Sequence, residues 1–326
     1  MIQPKEMKLN LPVELTNGVM STSSKIWDIL VASKNGDLEV VKKLVIECPE
    51  LIYAQYNYTP PVHFAVREGH LPLVKYLLGD GALDPNYITY PFKESLFTVA
   101  QDRGYEEIAA LLQDYLNHPD RCRFRGDNGT ILYDMDDDTI KFQRAVNHNE
   151  LKVAEQILKE HPEFALNEMA SWGEGILMMP ANRRNHKLLE LLIKHGARVP
   201  EISKWGRAYY FKHSDIAAFL LEKGMNPNHM TWHCVTLLHD MAQQGDLQKA
   251  ELLITHGAEI NPIDEEYQST PLGMASRWGH TEMVDYLLNQ GADPNKAGAP
   301  WATPLSWAKK KGHIEIEEIL VKAGAT

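Results

Sequence analysis

The chain has only three cysteines in 326 residues, scattered at Cys48, Cys122 and Cys234. An odd, dispersed set does not make a disulfide framework, so a reducing compartment, the cytoplasm, is expected. No apolar run approaches the roughly 18 residues that cross a bilayer, which argues against a membrane role. Met1 to Leu15 carries Lys5 and Lys8 with no apolar stretch behind them, so no secretory signal is read there. Basic residues are the minority: 33 Lys and Arg against 44 Asp and Glu leave a net charge of −11, which disfavours nucleic acid and anionic membranes. No Ser-His-Asp order, phosphate loop or dinucleotide fingerprint occurs, so catalysis is disfavoured and no cofactor is expected. Apolar content of 44% with 24% charged residues describes a folded chain with a large core.

The abundant feature is repetition. Gly279-His280 is followed by Leu287-Leu288 and Gly291-Ala292-Asp293-Pro294-Asn295, and Gly312-His313 by Ile319-Leu320 and Gly324-Ala325. Gly69-His70 and Gly245-Asp246 open similar stretches. The turn positions run Gly36, Gly69, Gly104, Asn149, Asn185, His213, Gly245, Gly279 and Gly312, spaced by 33, 35, 45, 36, 28, 32, 34 and 33 residues. Apolar residues at helical spacing flank each turn, as Leu272 and Ala275 precede Gly279 and Val284, Leu287 and Leu288 follow it. Thr270-Pro271 and Thr303-Pro304 supply a capping hydroxyl and a first-turn proline to first helices. Gly291 supplies a left-handed C-cap. A single helix pair cannot bury its apolar face alone, so the units must stack.

These motifs, Thr-Pro-Leu followed by Ala, then Gly-His, Leu-Leu and Gly-Ala-Asp-x-Asn, resemble the ankyrin-repeat pattern over about residues 24 to 326. The resemblance implies an all-α solenoid of about nine helix-turn-helix units with β-finger turns, the fingers and first helices lining a concave face. The family's histidine in the Thr-Pro-Leu-His slot ties down the turn and survives here as His63 and His239. The fold hosts many roles and is nearly silent on function.

Departures from the pattern divide the chain. The 45-residue spacing marks an interruption, and Cys-Pro-Glu-Leu at 48–51 reappears as His-Pro-Glu-Phe at 161–164. The expected organisation is an N-terminal extension at 1–23, three repeats at 24–117, a connector at 118–138 and six repeats at 139–326. The connector's basic end (Arg121, Arg123, Arg125) is expected to pair with its acidic end (Asp127, Asp134, Asp136, Asp137, Asp138). Units five and six are degenerate, with Ile176-Leu177-Met178-Met179 and Lys204-Trp205-Gly206-Arg207 in the Thr-Pro-Leu-His slot. Aromatics gather there: Trp172, Trp205, Tyr209, Tyr210 and Phe211.

Two sets of residues are candidates for recognition. The pairs before the nine turns hold nine basic and two acidic residues, including Arg183, Arg184, Lys212, Arg277, Lys310 and Lys311, with Phe211 and Trp278 among them. The family architecture turns these positions into one groove wall, and a wall of one sign attracts its opposite. The finger tips add an aromatic ladder, Tyr56, Trp172, Trp232, Tyr267 and Trp301, of the kind that anchors partners. Trp205 and His233 complete the candidate set. His229, His233 and Cys234 have ligand-like spacing, yet no fourth ligand is evident and no metal is expected. The expected function is a non-catalytic scaffold binding another protein, one with an acidic segment, through the concave face. The alternative is a binder of, or an enzyme acting on, an anionic small molecule or glycan.

Overall fold

A computed structural model describes every residue except Pro91, residues 123–128 and Asp134. It contains two compact units, Gln3–Asp134 and a second made of Met1–Ile2 with Met135–Thr326. Among the described residues, the first unit holds α1 (Lys5–Lys8), β1 (Pro12–Glu14), β2 (Met20–Thr22), three helix pairs and β3 (Thr130–Ile131). The pairs are α2 (Ser23–Asn35) with α3 (Leu38–Glu47), α4 (Pro61–Arg67) with α5 (Leu71–Gly79), and α6 (Leu96–Asp102) with α7 (Glu106–Asn117). The second unit continues the series with α8 (Asp137–Asn147) and α9 (Leu151–Glu160), a one-turn α10 (Ala170–Gly173), then α11 (Met178–Asn182) and α12 (His186–Lys194). It ends with α13 (Gly206–Tyr209) and α14 (Ser214–Glu222), α15 (Leu237–Gln244) and α16 (Leu247–Thr255), α17 (Pro271–Trp278) and α18 (Thr281–Asn289), and α19 (Pro304–Lys311) and α20 (Ile314–Lys322). Numbered along the chain, these are helix pairs one to nine.

Within the second unit the first helices stack in the order α8, α11, α13, α15, α17, α19, and the later second helices in the order α14, α16, α18, α20. Leu188, Leu192, Leu220, Leu253, Leu287 and Leu320 are buried between the layers. Two ladders join successive pairs. On one side a histidine just past the turn donates from Nε2 to a carbonyl near the end of the preceding first helix. His70 reaches Lys34 O (2.7 Å), His213 reaches Asn182 O (3.1 Å), His280 reaches Gln243 O (2.7 Å) and His313 reaches Arg277 O (3.2 Å). On the other side asparagines reach the next repeat, with Asn228 accepting from Glu259 N (2.7 Å), Asn261 from Asp293 N (2.9 Å) and Asn295 from Thr326 N (2.9 Å).

The first ladder explains the Gly-His motif. Gly245 has φ 68°, and a Cβ there would lie 2.7 Å from the His280 ring. Gly36 faces His70 and Gly279 faces His313 in the same way. Glycine is required twice over, for the left-handed cap and for the approach of the ring. His239 has a different structural task. Its Nδ1 accepts from Thr236 N (3.1 Å) and its Nε2 donates to Ser269 O (3.1 Å), closing the cap of α15 and tying it to the next finger. Burial brings its pKa down to about 4, and the Thr236 N–H would repel a proton on Nδ1.

A small antiparallel sheet in the first unit adds to the expected all-α plan. β1 lies between β2 and β3, with Val13 opposite Ile131, so a strand of the connector pairs with the N-terminal extension. Strands of two or three residues carry no periodicity and cannot be read from sequence. Of the connector's charges expected to pair with one another, Arg121 instead bonds Asp114 of α7 at 2.7 Å, and Asp136 caps α8 by accepting from Thr139 N at 2.7 Å. Arg123, Arg125, Asp127 and Asp134 lie outside the described residues.

Two outcomes follow. Gly245→Ala is expected to cost about 2–3 kcal/mol in urea unfolding, and Gly257→Ala, at φ 91° with open space around its Cβ, about 1 kcal/mol; equal costs would show that the His280 contact does not demand glycine. Below pH 6.5 the unfolded chain protonates at position 239 while the folded chain does so only near pH 4, so this residue removes stability as pH falls through that window, by about 3 kcal/mol in full. Stability of His239→Gln should therefore vary less between pH 6.5 and 4 than that of the unsubstituted chain, by about that amount.

Candidate partner-binding surface

Finger five, between α9 and α11, turns through Ser171 (φ 55°), Trp172 (φ 61°) and Gly173 (φ 83°). Left-handed backbone at the two non-glycine residues costs on the order of 1–3 kcal/mol each. Trp172 is 71% exposed, so its ring buries little surface in return. The turn is held from finger six. Lys204 Nζ donates to Trp172 O (2.7 Å), and the buried Glu174 carboxylate accepts the backbone N–H groups of Lys204 (2.7 Å) and Trp205 (3.3 Å). The Tyr210 hydroxyl donates to Glu174 O; burial, then the Glu174 charge, hold its pKa well above the usual phenol range, so it stays a donor.

Bonds between neighbouring repeats continue along the first-helix ends. Lys212 Nζ donates to Asn182 Oδ1 (2.8 Å), and the Arg207 guanidinium donates to Gln243 Oε1 (3.1 Å) while lying 3.6 Å from Asp240. Burial pushes Asp240 up to about 6 against the pull of Arg207. Arg184 donates to Asp215 (2.8 Å), which it shares with His186 (2.9 Å) and which Arg184 chiefly holds down to about 2. At finger eight, burial takes Asp264 up to about 7, although the N–H groups of Tyr267 (2.7 Å) and Ser269 (3.0 Å) bond its carboxylate and favour the ionised form.

Several expected surface residues are inside. Trp232 is buried, its ring 3.9 Å from that of His233, and His233 meets Glu266 at 3.0 Å with both side chains buried. His229 bonds Ser203 (2.7 Å). Phe211 and Tyr267 are buried too. Arg277 is only 3% exposed: its guanidinium carbon lies 4.6 Å from the Tyr267 ring, 4.7 Å from Trp278 and 4.5 Å from Trp307. One reason is common to these residues: each finger folds back over its first helix, and flat rings and a planar guanidinium pack there. The expected ladder is thereby corrected. Tyr56 is buried and bonds Glu6, Trp301 is half-buried with its edge against Trp307, and among the five expected rings Trp172 alone is exposed. The basic series loses Arg67, Arg103 and Arg277, all buried, but keeps Arg183, Arg184, Lys212, Lys310 and Lys311 exposed, with Trp205 and Trp278 half-buried.

Sequence reasoning did not place Glu174, Lys204 or Arg207 among the candidate site residues. The signal available was the Thr-Pro-Leu-His slot of unit six, where Lys-Trp-Gly-Arg replaces the capping pattern. An open cleft of about 480 Å³ also occurs on pair three, lined by Phe97, Gln101, Glu106, Ala109 and Gln113. The two tryptophans should separate cleanly in melting experiments. Trp232→Ala is expected to cost about 3–5 kcal/mol and Trp172→Ala to stay within about ±0.5 kcal/mol; similar losses would mean that the Trp172 ring is structural.

A model of ankyrin repeats in three copies matches residues 29–124, 207–298 and 238–326, more than half of the chain. Over 316 residues the chain is 21% identical to transient receptor potential cation channel subfamily A member 1 of Homo sapiens, covering 81% of this chain and 24% of that protein. It is 36% identical over 102 residues to protein fem-1 homolog A-like of Mus musculus, covering 31% and 14%. It is 30% identical over 118 residues to palmitoyltransferase ZDHHC17 of Danio rerio, covering 36% and 18%. The chain thus spans less than a quarter of each of these relatives. Among the described residues no helix is long and apolar enough to cross a membrane. With the helix pairs, turn glycines and inter-repeat ladders in place over the matched residues, the chain belongs to the ankyrin-repeat family.

Proposed function

We propose that this chain is a non-catalytic recognition scaffold for another protein, and that the first-helix row of pairs five to nine receives an acidic segment of that partner. The observation that carries this reading is the distribution of charge. α19 and the residues just past α11 and α13 present Arg183, Lys212, Lys310 and Lys311 to solvent, α15 and α17 between them expose no charged residue, and the one acid within these five helices, Asp240, is buried. A row of one sign concentrates and orients an opposite charge even where the whole molecule carries −11. A stacked array holds that row with little ordering cost on binding. The small, odd number of dispersed cysteines, Cys48, Cys122 and Cys234, supports a reducing, cytoplasmic setting.

A labelled glutamate-rich peptide tests the reading. Binding to the full chain should weaken steeply as salt rises, and the triple variant Arg183→Glu, Lys212→Glu and Lys310→Glu should bind at least about tenfold more weakly with its helical signal unchanged. Affinity that ignores both salt and charge reversal would sink the acidic-segment reading. Displacement of the peptide by free glutamate at equal concentration would assign the row to a small anionic ligand instead.

A further inference from the structure

We infer that fingers five and six form an anchor for an apolar side chain of the bound segment, with Trp172 as the surface on which that side chain packs. The inference rests on the acidic-segment reading above and adds what the segment carries besides charge. Its starting point is a mismatch between residue type and backbone. Ser171 and Trp172 both adopt left-handed conformations that glycine or asparagine would take with far less strain. A tryptophan normally offsets such strain by burying its ring, yet this ring is 71% exposed. The fold therefore gives no internal account of a tryptophan at this position, whereas a partner that covers the ring does.

The surroundings specify the partner's chemistry. Lys204 bonds the Trp172 carbonyl, which places an ammonium group at the same turn, and the half-buried Trp205 is next in sequence to Lys204. Glu174 is buried and spends its carboxylate on the backbone of finger six, so it offers no competing negative charge at the surface. An aromatic face flanked by an ammonium, at the start of a basic row, fits an extended segment in which carboxylates alternate with apolar residues. A purely polar acidic tail would use the row and leave the ring idle.

The same device occurs in the other unit. The first finger there is closed by a bridge between Tyr56 and Thr59, and its tip residues Asn57 (φ 48°) and Tyr58 (φ 61°) are both left-handed. Tyr58 is 53% exposed. An exposed ring on a left-handed turn at the first finger of both units is a repeated arrangement, which a single accident of packing does not produce.

Two labelled peptides test the anchor by fluorescence anisotropy on the full chain. One is glutamate-rich with leucine and proline interspersed; the other carries serine in their places. The apolar peptide should bind about tenfold more tightly or better. Trp172→Ala should abolish that preference and leave the serine peptide's affinity unchanged, and Trp172→Phe, which keeps a ring on the same turn, should restore part of it. A preference that survives Trp172→Ala, or a phenylalanine variant no better than the alanine one, overturns the anchor. If the serine peptide binds and responds to charge reversal of the row while the apolar peptide gains nothing, the anchor fails and the acidic-segment reading stands. If neither peptide binds, both fail.

Discussion

The contact between a ring just past the turn and the glycine of the preceding repeat, made by His70, Tyr105, His280 and His313, is the constraint on which the regular pairs of this structure depend. Where His280 lies over Gly245 and His313 over Gly279, the imidazole fills the space a side chain would occupy and its Nε2 satisfies a carbonyl that the helix end leaves open. One contact thus fixes the spacing of neighbouring pairs, their register and the path of the chain into the second helix. Tyr105 over Gly69 fills the same place with a phenol ring. Because the contact is made between successive units, stability accumulates pair by pair, as expected of a stacked array.

That spacing decides which side chains face outward. First helices packed side by side leave their last residues as a row, and the fingers fold back over the row's edge. Planar groups caught under a finger are consumed by the fold. Arg277 is boxed by Tyr267, Trp278 and Trp307, and His233 lies against Trp232 and Glu266. Lysines escape, since a flexible stem carries the ammonium back to water while a guanidinium stacks readily on rings. Lys212, Lys310 and Lys311 are accordingly exposed and Arg277 is not. The exposed charge that remains is smaller than the sequence count implies, and it is not opposed by any exposed acid on the same five helices.

The degenerate units five and six are where stacking and local regularity diverge. Lys204-Trp205-Gly206-Arg207 abandons the threonine cap and gives α13 only four residues. Bonds between repeats take over: Glu174 to finger six, Lys212 to Asn182 and Arg207 to Gln243. Gly206 admits His229 and Ser203 at distances a Cβ would not allow. The local pattern is lost, yet the stack continues, because side chains of adjacent repeats replace the cap that the helix lacks.

By itself the sequence determined the repeat. Turn glycines, Thr-Pro caps, paired leucines and Gly-His steps are each demanded by local backbone geometry or by an adjacent unit, so they recur in register and can be counted. The number of helix pairs, their order and the structural role of His239 were legible for that reason. Tertiary structure alone decided which finger aromatics are buried. Trp172, Trp232 and Tyr267 occupy similar places before a first helix, and nothing in their spacing distinguishes the exposed ring from the two buried ones. The difference arises from what each finger meets, a left-handed turn clamped by Lys204 in the first case and packed neighbouring rings in the others. The sheet joining residues 12–14 to 130–131 was equally illegible, since its strands are too short for periodicity and their partners lie more than a hundred residues apart.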